Sequence, residues 1–276
     1  AKVTKFKVGD KALIEPGVPD DTCEYCRTGR YNICPGVDFM ATQPNYKGAL
    51  TQYMTHPEEW TYHIPEGMTT MEGALVEPAA VGMHAAVLGG AQPGKSIVIL
   101  GGGTIGLMVL QACISLGATD ITVVDVIEKR LELAKKLGAA RVINGKEEDT
   151  VAVLRSEEMY GDHGVDLVFE AAGAVFTAQQ AVQIVSRGGK IMMVGTQSKP
   201  VPIDFLKINR EVTIQTSFRY CNNFPQTIEA ISSGRFNVKD MVTNIYDYED
   251  VQKAFEEAID PVKKTEMVKG VIKVAE

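Results

Sequence analysis

The chain has 276 residues, 45% hydrophobic and 23% charged, enough apolar material for a packed core in about two domains, which excludes a disordered protein. Lys and Arg total 28 against 35 Asp and Glu, a formal net charge of -7, so no sequence-wide basic field draws nucleic acid or anionic lipid. No run of 18 apolar residues exists, residues 1–7 lack the apolar stretch of a signal peptide, and five cysteines are too few for a disulfide scaffold; a cytoplasmic protein is expected.

Residues 1–87 carry short extended runs at 6–8, 12–15, 50–55 and 61–64, punctuated by Glu15-Pro16-Gly17 and Ile64-Pro65-Glu66-Gly67, the pattern of small barrel strands. From Lys95 the rhythm changes. Residues 96–100 form a continuous apolar run of the kind buried on both faces of a parallel sheet. A helix follows over 105–116, a strand over 121–125 and an amphipathic helix over 128–137, each helix stopped by glycine, Gly117 and Gly138. The beat repeats with a helix over 150–159, a strand over 165–170, a helix over 177–186, and strands over 190–194 and 212–216. The tail from Asn237 gives a strand at 241–245, a helix at 251–258 and a strand at 270–274. Strands joined by helices in this order predict an α/β, doubly wound parallel sheet.

Gly101-Gly102-Gly103-Thr104-Ile105-Gly106 satisfies G-x-G-x-x-G between a predicted strand and a predicted helix. Glycines there permit a tight turn, close approach to a pyrophosphate and close helix packing. Asp125 closes the next strand at the spacing of a ribose-binding acid, which favours NAD over NADP by repelling a 2′-phosphate; Arg130 just beyond is suited either to that phosphate or to the adenosine. A glycine turn in a non-binding domain is the bland alternative.

Cys23, Cys26 and Cys34 place three soft ligands on one loop, and Asp20, three residues before Cys23, supplies a fourth donor for tetrahedral Zn. The alternative is a metal-free lobe with its thiols packed against Tyr25 and Tyr31. Cys113, within an apolar helix, reads as a core residue.

Residues 4–10, the lobe ending Gly29-Arg30-Tyr31-Asn32-Ile33-Cys34-Pro35, the stretch Gly73-Ala74-Leu75-Val76-Glu77-Pro78 and the glycine loop together resemble the zinc-dependent medium-chain dehydrogenases. Phe218-Arg219-Tyr220-Cys221-Asn222 with Phe39-Met40-Ala41-Thr42 is similar to their sorbitol and xylitol dehydrogenase branch. The resemblance spans essentially the whole chain. It implies a Rossmann sheet (88–236) inserted in a partial GroES-like β-barrel domain (1–87, with a C-terminal return at 237–276). It further implies NAD and Zn as cofactors, a polyol or secondary alcohol as substrate, and a homo-oligomer, dimer or tetramer, paired through the edge strand near 212–216.

Carried over by resemblance, Gly101, Gly103, Thr104, Ile105 and Gly106 contact the pyrophosphate, and Asp125 and Arg130 the adenosine ribose. Val194, Gly195, Thr196, Ser217, Phe218 and Arg219 lie along the nicotinamide half. Glu77 stands beside the catalytic metal, and Arg219 and Tyr220 line the polyol pocket; the bland readings are a helix start at Glu77-Pro78 and surface packing at Arg219-Tyr220.

The sequence departs from the family's pattern in four respects. The family's catalytic ligands, an N-terminal cysteine and a Gly-His-Glu segment, are absent from this sequence, and His56, His63, His84 and His163 lie in no matching motif. Met40 stands where polyol enzymes carry an aromatic, and Asp20 replaces a cysteine. The expectation is a truncated polyol dehydrogenase, inclined to associate or of low stability. A non-catalytic NAD-binding module and a zinc-free quinone-reductase-like enzyme are the alternatives.

Overall fold

The structure is a computed structural model that describes residues 3–42 and 47–274. Short strands pair in twos through its N-terminal part. β1 (Ala12–Ile14) runs antiparallel to β4 (Thr61–His63), and β2 (Gly17–Val18) to β3 (Asp38–Phe39), with α1 (Glu24–Arg27) between β2 and β3. The segments at 6–8 and 50–55, expected as strands, have no ladder partner among the described residues. Residues 4 and 5 are instead held by the Glu58 carboxylate, which accepts both their backbone N–H groups at 2.9 Å. Leu50, Thr51, Tyr53, Met54 and Thr55 line an open cleft of about 820 Å³.

Thr69 then caps α2 (Thr70–Ala74): its hydroxyl accepts the Glu72 N–H at 3.2 Å while the Glu72 carboxylate accepts the Thr69 N–H at 2.8 Å, so each satisfies an orphan donor of the other. α3 (Val76–Gly89) follows, with Pro78 in its first turn, where no helical N–H is required, and left-handed Gly90 at its end. The helix start at Glu77-Pro78 is therefore real, and His84 is a buried helix residue.

The central layer is a six-stranded sheet. β5 (Ser96–Leu100) leads through α4 (Thr104–Ser115) to β6 (Asp120–Asp125), and α5 (Glu128–Lys136) to β7 (Arg141–Asn144). After α6 (Thr150–Leu154) come β8 (Val165–Glu170), α7 (Val175–Ile184), β9 (Val185–Met193) and β10 (Thr213–Thr216). The spatial order is β10-β9-β8-β5-β6-β7, all parallel, which is the doubly wound Rossmann arrangement with its order reversing between β5 and β8. Ile97, Val98, Ile99 and Leu100 of β5 are wholly buried, as a central strand covered on both faces must be.

Several expected bounds shift. The helix expected at 150–159 ends at Leu154, because the backbone turns at Ser156 and Arg155 folds back, donating to the carbonyls of Gln183 and Val185 at 3.0 Å. The strand expected at 190–194 begins at Val185, directly out of α7, with a register shift opposite Val165–Leu167. The sequence reading missed α8 (Phe224–Ser232), which starts with Pro225 in its first turn and buries Phe224, Thr227, Ile228 and Ile231. β11 (Val242–Asp247), α9 (Val251–Ile259), α10 (Lys263–Glu266) and β12 (Lys269–Lys273) complete the chain, β11 and β12 parallel.

α3 packs on α4 at unusually close range. A Cβ on Gly82 would meet the Met108 carbonyl carbon at 2.5 Å and its oxygen at 2.6 Å, both rigid backbone atoms. Gly82→Ala is expected to force the helices apart and destabilise the chain by about 1–3 kcal/mol, read as a lowered thermal midpoint by circular dichroism; an unchanged midpoint would show the helix pair can give.

Candidate functional site

The C-terminal ends of the parallel strands gather most of the residues singled out in the sequence. The loop after β5 turns through Gly101 (φ 109°) into α4, and a Cβ on Gly106 would collide with the Gly101 carbonyl oxygen, so only glycine lets the helix sit this close to its strand. Gly103, by contrast, faces open space: a Cβ there has nothing nearer than Arg130 Nη1 at 3.9 Å. It caps α4 without a side-chain bond, leaving the helix's first N–H groups and positive dipole end facing outward, the requirement for a pyrophosphate. The Thr104 hydroxyl donates to the Val268 carbonyl and ties the loop to the C-terminal return.

Asp125, at the end of β6, is buried. Its Oδ2 accepts the Gly102 N–H at 2.7 Å, and its Oδ1 the N–H groups of Val126 and Ile127 at 2.8 and 2.9 Å. Arg130 Nη1 lies 3.6 Å from Oδ2, and its Nε is buried without a partner. The guanidinium is thus paired with the acid, which reduces its availability for a 2′-phosphate.

Beyond β8, β9 and β10 the chain forms a second set of loops. The N–H groups of Val194 and Gly195 both donate to the Glu170 carbonyl at 2.8 Å, and Ser217 N–H donates to Met193 at 2.9 Å. The Ser217 hydroxyl is buried without a partner, as is Gln197 Oε1, whose Nε2 donates to Glu170 Oε2 at 2.6 Å. Glu170 is fully buried and also accepts from Ala172, Gly173 and Thr177. Sequence reasoning missed Gln197 and Glu170; a carboxylate at the end of the fourth parallel strand was the signal available.

Arg219 and Tyr220 are not surface packing. Tyr220 is 2% exposed and its hydroxyl neighbours the Glu77 carboxylate, while Arg219 Nη1 is buried without a hydrogen-bond partner among the described residues. The Arg219 guanidinium lies 4.0 Å over the Phe39 ring. Burial pushes the Glu77 carboxyl up, while the neighbouring Tyr220 hydroxyl and the charges of Lys269 and Arg219 pull it back. Glu77 is the only ionisable side chain, among the described residues, lining an apolar pocket of about 540 Å³ that includes Phe39, Met40 and Ile64. Lys269, on β12, went unnoticed in the sequence.

Asp20, Cys23, Cys26 and Cys34 bring one donor each to within 4.8 Å of one another. An ion with zinc–sulfur bonds of about 2.3 Å holds tetrahedral sulfurs about 3.7 Å apart, and the Cys23 and Cys26 sulfurs stand at 3.4 Å. The Thr22 and Cys23 N–H groups hold the Asp20 carboxyl down to about 2, so it is an anionic donor at neutral pH. The Cys26 N–H lowers the Cys23 thiol, while burial pushes Cys26 up to about 12. The four residues fit zinc. Tyr31 packs on Trp60 at 4.8 Å, not on the thiols. Among the described residues no other group of three or more His, Cys, Asp or Glu side chains is placed to hold a metal ion.

Glu15 was overlooked except as a turn residue. It is fully buried, and Tyr31 and Tyr62 donate their hydroxyls to its two oxygens at 2.6 and 2.9 Å. Burial raises its proton affinity above the ordinary glutamate value near 4.5, and the two phenols only partly offset this.

The same architecture recurs among known proteins. Residues 104–233 match the zinc-binding dehydrogenase family model and residues 1–66 the alcohol dehydrogenase GroES-like domain. The chain belongs to this zinc-type medium-chain alcohol dehydrogenase family, an α/β Rossmann sheet combined with a GroES-like unit. It is 63% identical over its full length to 78% of YdjJ of Escherichia coli, described as an uncharacterized zinc-type alcohol dehydrogenase-like protein. It is 41% identical over 94% of its length to 73% of the sorbitol dehydrogenase of Bacillus subtilis, and 35% identical over 95% to 77% of the D-xylulose reductase of Morganella morganii. Among solved structures, 2R,3R-butanediol dehydrogenase of Bacillus subtilis superposes with a TM-score of 0.88 at 28% identity, covering 98% of this chain and 76% of that one. The matched family model is that of zinc-binding dehydrogenases, and the four donors of the cysteine lobe are placed to hold such an ion. Among the described residues no helix is long and apolar enough to cross a membrane.

Three outcomes are expected. Gly103→Ala folds normally, since its Cβ meets nothing, but loses the fluorescence enhancement of bound NADH; retained binding would mean the pyrophosphate lies elsewhere. The chain retains one zinc per molecule by plasma emission spectrometry, and Cys23→Ser retains none. For Glu15, a raised folded-state value means that the native state holds its proton more tightly than the unfolded state, so this carboxyl's contribution to stability falls as pH rises from about 4.5 toward the raised value. Glu15→Gln is expected to remove that decline in a comparison of urea midpoints across pH, and parallel curves would contradict it.

Proposed function

We propose that this protein is an NAD-dependent dehydrogenase that oxidises a polyol or other secondary alcohol to the corresponding ketose or ketone. The observation that carries this reading is the buried, unpartnered Arg219 Nη1 beside the neighbouring Tyr220 hydroxyl and Glu77 carboxyl, whose proton affinity burial raises. Buried polar atoms without partners are rare, and at a site they mark where a ligand's hydroxyls complete the bonding. A chain of vicinal hydroxyls offers several donors and acceptors to such a set, where ethanol offers a single hydroxyl. The sorbitol dehydrogenase and D-xylulose reductase relatives support the same substrate class.

The rest of the site fits around this. The outward N–H groups at the start of α4, with Thr104, Ile105 and the three glycines Gly101, Gly103 and Gly106, are suited to the pyrophosphate. Asp125 accepts the adenosine ribose hydroxyls, and its paired Arg130 leaves no free cation for a 2′-phosphate, which supports NAD over NADP. Val194, Gly195 and Thr196, with Ser217, Phe218 and Arg219, flank the nicotinamide half, and the orphan Ser217 hydroxyl faces that work. Bound NAD supplies the hydride acceptor. Glu77 is poised to hold the alcohol proton, and Arg219 and Tyr220 fix the polyol chain so that one carbinol carbon faces the cofactor. A zinc ion on Asp20, Cys23, Cys26 and Cys34 has four protein ligands, the closed set of a structural site. The described residues provide no second such set for the family's catalytic zinc.

Supporting oligomer formation, one edge of β10 is unpaired, with Ile214 40% exposed on it, a template for a second copy in a dimer or tetramer. The reduced thiols of the lobe suit a cytoplasmic setting.

The test is NADH formation from NAD with sorbitol, xylitol, butanediol and ethanol in the presence of zinc. Polyol-dependent turnover is expected, with NADP at least about tenfold poorer, and Arg219→Ala is expected to raise the polyol KM about 10- to 100-fold. NAD binding with neither turnover nor polyol affinity would overturn the reading in favour of a cofactor-binding module.

A further inference from the structure

The turn that carries Arg219 and Tyr220 leaves β10 at Ser217 and enters α8 at Phe224, and it adopts an unusual conformation. Arg219 (φ 53°) and Asn222 (φ 57°) both lie in the left-handed region, which non-glycine residues seldom occupy and which asparagine tolerates better than arginine. Such backbone persists only where the surroundings over-determine it. Here the surroundings are the cysteine lobe. The Asn32 side-chain amide donates to the Phe218 carbonyl at 2.8 Å. The Asn222 N–H donates to the Tyr31 hydroxyl at 2.8 Å, and that hydroxyl, by donating its own proton to Glu15 Oε1 at 2.6 Å, directs its lone pair at Asn222. The Gly29 carbonyl accepts from Asn222 Nδ2 at 2.8 Å and from the Cys221 thiol at 3.0 Å.

Residues 29, 31 and 32, all between Cys26 and Cys34, therefore grip residues 218, 221 and 222 on both sides of Arg219 and Tyr220. None of these bonds reaches the glycine loop or Asp125. We propose that Tyr31, Asn32 and Asn222 are positioning residues for polyol binding: the lobe's hydrogen bonds hold the turn in its left-handed form and so set where the Arg219 guanidinium and the Tyr220 hydroxyl stand. The inference rests on the polyol reading of that site. Released from the lobe, Arg219 returns to the ordinary right-handed or extended regions, which redirects its Cα–Cβ bond and takes the guanidinium off Phe39. The lobe then acts on substrate recognition through the backbone, without touching the substrate, and cofactor binding at the far loop is left alone.

The test compares the full chain with Asn32→Ala, Tyr31→Phe, Asn222→Ala and Asn222→Gly, well below their melting temperatures. Hydrogen exchange of the peptide spanning 218–222 reads the turn, calorimetry with ADP-ribose, which lacks the nicotinamide, reads the glycine loop and Asp125, and calorimetry with xylitol at saturating NADH reads the substrate. In Asn32→Ala and Tyr31→Phe the turn is expected to exchange faster and xylitol to bind at least about tenfold more weakly, with ADP-ribose affinity held within about twofold. Asn222→Gly, which tolerates the left-handed backbone, is expected to bind xylitol more tightly than Asn222→Ala. Wild-type xylitol binding with unchanged affinity in Asn32→Ala and Tyr31→Phe overturns the inference alone, and so does a parallel loss of ADP-ribose affinity, the mark of a general structural defect. A wild-type chain with no xylitol affinity overturns the polyol reading and this inference with it.

Discussion

The contact between Gly106 and the Gly101 carbonyl fixes the rest of the site. Because residue 106 has no side chain, α4 lies against the end of β5, and its exposed first turn faces the space in front of Gly103. From that placement the other parts follow in order. α3 can close on the outer face of α4 only at Gly82, where the Met108 backbone leaves room for a hydrogen and nothing larger. α3 in turn carries Glu77 in its first turn, so the same glycine contacts that build the dinucleotide cradle also locate the acid. The Thr104 hydroxyl then fastens the C-terminal return, which brings Lys269 within electrostatic range of Glu77.

A second set of forces acts from the opposite side. Glu15 is a fully buried carboxylate, expensive in a low-dielectric interior unless it is hydrogen-bonded, and Tyr31 and Tyr62 supply those bonds. The cost is useful because Tyr31 belongs to the lobe and Glu15 to the segment after β1, so satisfying the charge fastens the lobe in one orientation. The lobe then meets the 218–222 turn through hydrogen bonds of Asn32, Asn222 and Tyr31. That turn and the glycine loop are thus fastened by different contacts, the loop by the Thr104 hydroxyl and Asp125.

Much of this was legible in the sequence, for physical reasons that differ by element. β5, β6 and β8 are buried on both faces and must be apolar throughout, so their positions stand out as continuous runs. The glycine loop and Asp125 are readable because backbone approach to a ligand tolerates few residue types. The cysteine lobe is readable because metal spacing is local, and the structure brings its four donors together. What could not be read is what depends on distant partners. A strand exists only with a neighbour, so residues 6–8 and 50–55 looked extended without forming a ladder among the described residues. Glu15 sits in an ordinary turn motif, and only the fold shows that residues 16 and 47 positions away supply its hydroxyl partners. The left-handed backbone at Arg219 has no signature in the residue types, since arginine is not chosen for it.

In the proposed function a polyol completes the bonding of the buried Arg219 Nη1 and of the Tyr220 hydroxyl beside Glu77. A crystal structure of the chain with NADH and xylitol tests it most directly. The account predicts xylitol oxygens within hydrogen-bond distance of Arg219 Nη1 and Tyr220 Oη, with the nicotinamide beside Ser217 and Val194. Xylitol bound elsewhere, or Arg219 Nη1 turned toward a protein partner in the complex, would contradict it.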